Sequence, residues 1–179
     1  MNIIRVPVKG LVTCGFQSRA VGRCNGFTGV KVDCALNIST NMPLSMDEIV
    51  VADFSDGNFS KVISLIGRTS IVVSGLTSCG AVIVTDMLCK QAAAGHVSGD
   101  LHMVEKWCTL IRARRSFHAR YLVVGCGKCG SMSNAKDVAK EYEEALGIDT
   151  KNTFLFEGCG AVGVTRAGVA FAQCDSMWG

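Results

Sequence analysis

Residues 74–100 read SGLTSCGAVIVTDMLCKQAAAGHVSGD. Two apolar runs, AVIVTD (81–86) and AAAGHV (92–97), flank a short polar patch, and the pair reads as an antiparallel hairpin. A loop made of Asp86, Met87, Leu88 and Cys89 centres that hairpin so that Cys79 faces His96. Directly opposed residues hold their Cβ atoms about 4.5–5.5 Å apart, close enough for a thiol and an imidazole to share a proton. Gly75 and Gly80 bracket Cys79, so backbone can approach a substrate there, and N–H groups around Ser78–Gly80 can meet a developing oxyanion. A helix expected to begin near Asp100 brings its positive end toward His96, a field that favours negative charge on a nearby sulfur. A core reading stands beside the catalytic one. Free cysteine is among the most buried residue types, and ten cysteines give packing many chances to set one near a histidine.

Working outward, the first half carries short Val- and Ile-rich runs separated by Gly, Asn, Asp and Ser: IIRVPV (3–8), GVKVDC (29–34), EIVVADF (48–54), KVISLI (61–66) and TSIVVSG (69–75). Beyond the hairpin, DLHMVEKWCTLIRARR sets Val104, Trp107, Cys108 and Ile111 on one helical face, with Ser98 or Asp100 as the cap. HARYLVVGCG (118–127) is a strand. SNAKDVAKEYEEALG is a second helix capped by Ser133, with Ala135, Val138, Tyr142 and Ala145 or Leu146 facing inward and Gly147 ending it. NTFLFE (152–157) and the hairpin VGVTRAGVAFA (162–172) follow. Many strands and two helices, unevenly distributed, predict an α+β fold rather than an alternating parallel sheet. No repeat or linker divides the chain. One domain over 1–179 is expected, with a β-rich portion over 1–69 and a Cys–His core over 70–179.

The composition narrows the classes of function. A chain of 179 residues, 49% hydrophobic with two prolines, can bury its own core without a metal or a disulfide. The ten cysteines form no small disulfide scaffold and read as reduced thiols in a cytosol-like compartment, or as those of a protein delivered into another cell's cytosol. A net charge of +3, with IRARRSFHAR (111–120) the one basic cluster, is weak for a nucleic-acid partner. MNIIRVPVKG does not resemble a secretory signal, and no run is long enough to span a membrane. Neither a nucleic-acid nor a membrane partner is expected, and no cofactor. His102 and His118 are expected on the surface, and Trp107 and Phe117 in packing.

GLTSCGAVIVTD followed by AAAGH, with His96 seventeen residues after Cys79, resembles the cysteine–histidine core of a superfamily. Its members are the cytotoxic necrotizing factor catalytic domain, chemoreceptor glutamine deamidase and the laccase-domain proteins. The similarity to the deamidase runs over about residues 70–179 and includes GCGKCGS and the final hairpin GCGAVGVTRAGVAF. The resemblance implies β-sandwich-like sheets, mixed or antiparallel, with two flanking helices, a cytotoxic-necrotizing-factor-like fold. It implies a protein-glutamine deamidase, in which Cys79 is the nucleophile and His96 its base, acting on a protein substrate with an exposed glutamine. Host-directed toxin or effector and house-keeping enzyme both remain open. Some members place a threonine six residues before the cysteine to orient the histidine. Here that position is Val73, so a backbone carbonyl, Ser74 or Thr77 would take that part.

Two alternatives are carried forward. The laccase-domain branch has the same Cys-to-His spacing but uses these residues, with an upstream histidine, to hold zinc for work on purine nucleosides. No histidine precedes His96 here, and two ligands do not make a tight catalytic zinc site. Cys126-Gly-Lys-Cys129 is half of a structural zinc site or a redox pair, and otherwise a glycine-rich turn near the cleft. The other alternative is a non-catalytic binding module on the same scaffold.

Overall fold

The computed structural model describes residues 1–6, 11–16, 25–26, 49–53, 62–65, 68–86, 91–97, 103–127, 132–165 and 168–173. GVKVDC (29–34), His102, Cys129 and the proposed caps Ser98 and Asp100 lie outside them. Among the described residues are twelve strands and two α-helices. The first five strands are β1 (Asn2–Arg5), β2 (Leu11–Gly15), β3 (Asn25–Gly26), β4 (Ile49–Asp53) and β5 (Val62–Leu65). Next come β6 (Arg68–Ser74), β7 (Gly80–Asp86), β8 (Gln91–Val97), helix α1 (Val104–Arg112) and β9 (Ala119–Cys126). Helix α2 (Met132–Leu146), β10 (Thr153–Glu157), β11 (Ala161–Thr165) and β12 (Val169–Gln173) complete the series.

Two six-stranded sheets result. The first runs β1-β10-β9-β7-β8-β4 and is mixed, because β1, β10 and β9 are mutually parallel while β7, β8 and β4 alternate in direction. The second runs β3-β2-β12-β11-β6-β5 and is antiparallel throughout. The chain is α+β, as its patterning predicts. The N-terminal strands are woven into both sheets, β1 and β4 onto the first and β2, β3 and β5 onto the second.

The first sheet is covered on both faces, which explains why its central strands read as unbroken apolar runs rather than alternating ones. Every residue of β7 is buried. Alternate side chains divide between two layers. Ala81 and Ile83 of β7, Ala92 and Ala94 of β8, and Val123 of β9 point at the second sheet, where they meet Val73, Val162 and Ala172. Val82, Val84, Ala93, Val97, Leu122 and Val124 point the other way, onto Trp107 of α1 and Val138 and Tyr142 of α2. The three consecutive alanines of β8 favour helix by intrinsic propensity. Pairing on both sides, with β7 and β4, makes them strand instead.

Both helices bury the predicted faces, Trp107, Cys108 and Ile111 in α1 and Ala135, Val138 and Tyr142 in α2. Their beginnings differ from expectation. Met103 is the N-cap residue of α1 and makes no side-chain cap, and the first turn is held by Trp107 N–H donating to the Met103 carbonyl at 3.0 Å. Helix α2 starts at Met132, so Ser133 sits inside its first turn rather than capping it. Its end is as predicted: past Gly147, the Ile148 amide donates back to the Glu143 carbonyl at 2.9 Å, the six-to-one bond that closes a helix C-terminus. Strand β2, LVTCG, is an addition to the sequence reading.

Candidate functional site

The β7–β8 hairpin forms, but its centre lies one residue further along the chain than the sequence arithmetic places it. Asp86 stays in β7, and its Oδ1 accepts the Gln91 amide at 3.4 Å, closing the ladder there. Moving the centre by one residue moves every partner by two. His96 is therefore paired with Ala81, not with Cys79, and Gly80 with Val97. A shift of two preserves the face each side chain occupies. Cys79 and Ala81 share a face of β7, so Cys79 becomes a diagonal neighbour of His96, a distance long side chains span. The contact survives the corrected register: Cys79 Sγ and His96 Nε2 are 2.9 Å apart. One hydrogen is shared between them. It belongs to sulfur in the neutral pair and to nitrogen in the ion pair.

Cys79 is 7% exposed and His96 8%, so the two are buried together on one face. Both sit at the end of the layer between the sheets, beneath the chain surface rather than in an open cleft. The approach to Cys79 is exposed, however, at Gly75, Thr77 and Ser78. That segment makes a tight turn with Gly75 at φ +77°, a conformation glycine adopts without steric cost. The turn is fastened on two sides. Leu76 N–H donates to the carbonyl of Gly160, just before β11, at 3.0 Å, and Gly127 N–H, just past β9, donates to the Cys79 carbonyl at 3.2 Å. The Cys79 thiol also lies 3.6 Å from the Gly75 carbonyl, an acceptor for its proton.

The remaining predicted positions fall as follows. Val73 is fully buried in the inter-sheet layer, paired with Val162 across β6 and β11, and offers the imidazole no polar group from its side chain. Ser74 pairs with Ala161 through its backbone. Gly80 is already laddered to Val97 and Cys126. The Ser78 and Cys79 amides precede the strand and have no backbone acceptor among the described residues, so they are the better-placed oxyanion donors. The positive end of α1 does not serve the site: Met103 and Val104 pack with Trp107 in the helix-facing layer, across the sheet from His96.

Cys126 belongs to a different environment. It lies in the helix-facing layer, and burial first, then the negative charges of Glu157 and Cys79, push its thiol above the ordinary cysteine range. Cys159 is fully buried, with its thiol 3.3 Å from the Cys126 carbonyl. Of the described cysteines, Cys79 is the one hydrogen-bonded to His96. His118 is exposed, and Trp107 and Phe117 are buried in packing. As for metal, Cys79 and His96 bring a sulfur and a nitrogen to one point, but no group of three His, Cys, Asp or Glu side chains converges among the described residues. A catalytic zinc site takes three protein ligands, of which these would be two.

The sequence reading missed the role of the glycines beside Cys126. Gly125 and Gly127 are two apart and so share a face, a bare stripe turned toward the inter-sheet layer. Alternate glycines at a strand end signal close backbone approach, and that signal was legible in GCG.

No known family profile matches the chain, and no curated protein matches it. Among solved structures it is similar to the hypothetical protein YfiH of Bacillus licheniformis, at 10% identity and a TM-score of 0.31. The match covers 59% of this chain and 57% of the other, so it spans little more than half of either. Among the described residues no helix is long and apolar enough to cross a membrane.

Proposed function

We propose that Cys79 and His96 form a catalytic thiol–imidazole pair, and that the chain is a cysteine-dependent amidohydrolase acting on the side-chain carboxamide of a protein glutamine. The observation that carries this reading is the 2.9 Å approach of Sγ to Nε2, on one face and beside the exposed turn at Gly75, Thr77 and Ser78. His96 takes the thiol proton as sulfur bonds to the carboxamide carbon, and the Ser78 and Cys79 amides hold the resulting oxyanion. The tetrahedral adduct collapses as His96 returns the proton to departing ammonia, leaving a thioester. Water, deprotonated by His96, attacks that thioester and releases glutamate and the free thiol. The substrate class rests on the sequence resemblance; the pair itself rests on geometry.

The test is ammonia release together with intact mass of candidate substrate proteins, which gain about one dalton for each amide converted. Cys79→Ala should abolish turnover while leaving substrate binding in place. Retained activity in that variant would end the proposal.

The same pair favours a second reading, in which Cys79 and His96 are two ligands of a zinc ion, as in the laccase-domain branch with its purine nucleoside chemistry. Metal analysis of protein purified without chelator separates the two. Stoichiometric zinc lost in both Cys79→Ala and His96→Ala selects the second, and full amidase activity in metal-free protein selects the first. A uniformly sluggish set of thiols with no turnover would instead match a binding module.

A further inference from the structure

We infer that Gly127 is a positioning residue for Cys79: the absence of a side chain there lets the nucleophile's turn seat against β9 and aims Sγ at His96. The inference rests on the thiol–imidazole reading above. A Cβ built at Gly127 would collide with the Thr77 carbonyl oxygen, with the carbonyl carbon 2.7 Å away and the Thr77 nitrogen at 3.0 Å. All three are main-chain atoms, which cannot rotate aside as a side chain can. The same glycine's amide holds the Cys79 carbonyl at 3.2 Å. Gly127 thus touches the turn at both ends of Thr77–Cys79, the three residues of chain that decide where Sγ points. Any side chain at 127 must push Thr77 away from β9 and carry Cys79 with it.

Gly125 provides the control. The atoms nearest a Cβ there are all side-chain atoms outside the Gly75–Cys79 turn, Val162 Cγ1 at 2.7 Å and Cys159 Sγ at 3.1 Å among them. Gly125→Ala therefore disturbs inter-sheet packing and leaves the turn seated. A purely structural role for Gly127 predicts that the two alanine variants behave alike.

The experiment is the pH profile of iodoacetamide alkylation at Cys79, followed by peptide mass in the intact protein, for wild type, His96→Ala, Gly127→Ala and Gly125→Ala. Wild type should react at mildly acidic pH at least about tenfold faster than His96→Ala, because thiolate and not thiol is the nucleophile. Gly127→Ala should fall onto the His96→Ala profile, while Gly125→Ala keeps the wild-type shape despite lower thermal stability. A wild-type profile in folded Gly127→Ala would overturn the inference. Coincidence of the wild-type and His96→Ala profiles would overturn the pair itself, and the inference with it. Should Gly127→Ala fail to fold, the wild-type amide resonance of Gly127 decides: it should shift with pH in step with Cys79 alkylation and lose that dependence in His96→Ala. A Gly127 resonance that ignores the pair would overturn the role.

Discussion

The two faces of the first sheet are built from the same strands and do different work. Toward the helices, β7, β8 and β9 present Val82, Val84, Val97, Leu122 and Val124 to Trp107 and Tyr142, whose rings meet edge-on with centroids 5.9 Å apart. Toward the second sheet, β7 and β8 present Ala81, Ile83, Ala92 and Ala94, β9 presents Tyr121 and Val123, and at one end lies the Cys79–His96 pair. Rings supply buried area on both faces, Trp107 and Tyr142 on the helix side and Phe16, Phe154 and Phe156 between the sheets. What the inter-sheet side adds is a polar pair at the end of its layer, with Ala81 and Ala94 as its neighbours on the strands. Both sides thus carry stability, but only one carries the reactive pair, so a substitution on the helix side should report mainly on stability.

His96→Ala gives the largest contrast. It should lower turnover by about 10²–10⁴ with the fold retained, measured as rate against thermal midpoint. Trp107→Ala tests the opposite face. Removing a fully buried indole should cost about 3–5 kcal/mol of stability in a denaturant titration, while Cys79 alkylation keeps its pH profile. If Trp107→Ala also flattened that profile, the division between faces would be wrong.

Cys126 sharpens the comparison at intermediate magnitude. Burial, Glu157 and Cys79 all disfavour its thiolate, so it should stay unalkylated at a pH where an exposed thiol reacts. Glu157→Gln removes one of those charges and should speed its alkylation modestly, leaving burial as the main restraint. Peptide mapping of the alkylated protein checks both.

The smallest effect is expected at Tyr142. Its hydroxyl is buried with no hydrogen-bond partner among the described residues, and burial, then the nearby Cys108 and Glu141, push its ionisation well above that of a free tyrosine. The folded protein then holds the phenolic proton more tightly than the unfolded chain. Its contribution to stability is fully present below the ordinary tyrosine range and is lost as pH rises beyond it. Tyr142→Phe should be nearly neutral at pH 7, within about 1 kcal/mol, and should flatten the alkaline fall in stability.

Much of this was readable from the chain alone, and the failures have physical causes. Cys79 and His96 could be brought together because a hairpin fixes faces as well as partners. The register was misjudged because the Asp86 carboxylate prolongs β7, a side-chain effect that loop counting ignores. The caps were misplaced because Met103 starts α1 without a capping side chain. Strand β2 was overlooked although Val12 and Cys14 alternate inward, since five residues with a glycine at the end give only two apolar positions to count. The seat at Gly127 depends on how closely β9 passes the turn at Thr77, a distance no spacing in the sequence encodes.

The parallel pairing of β1 with β10 sets an order on synthesis. Asn2 finds its neighbour at Phe154, and Arg5 at Glu157. A ribosome must therefore deliver β10, about 150 residues after β1, before β1 can dock, and loop closure over so long an interval slows folding. Until then Ile4, buried in the folded protein, travels uncovered, a natural handhold for a chaperone.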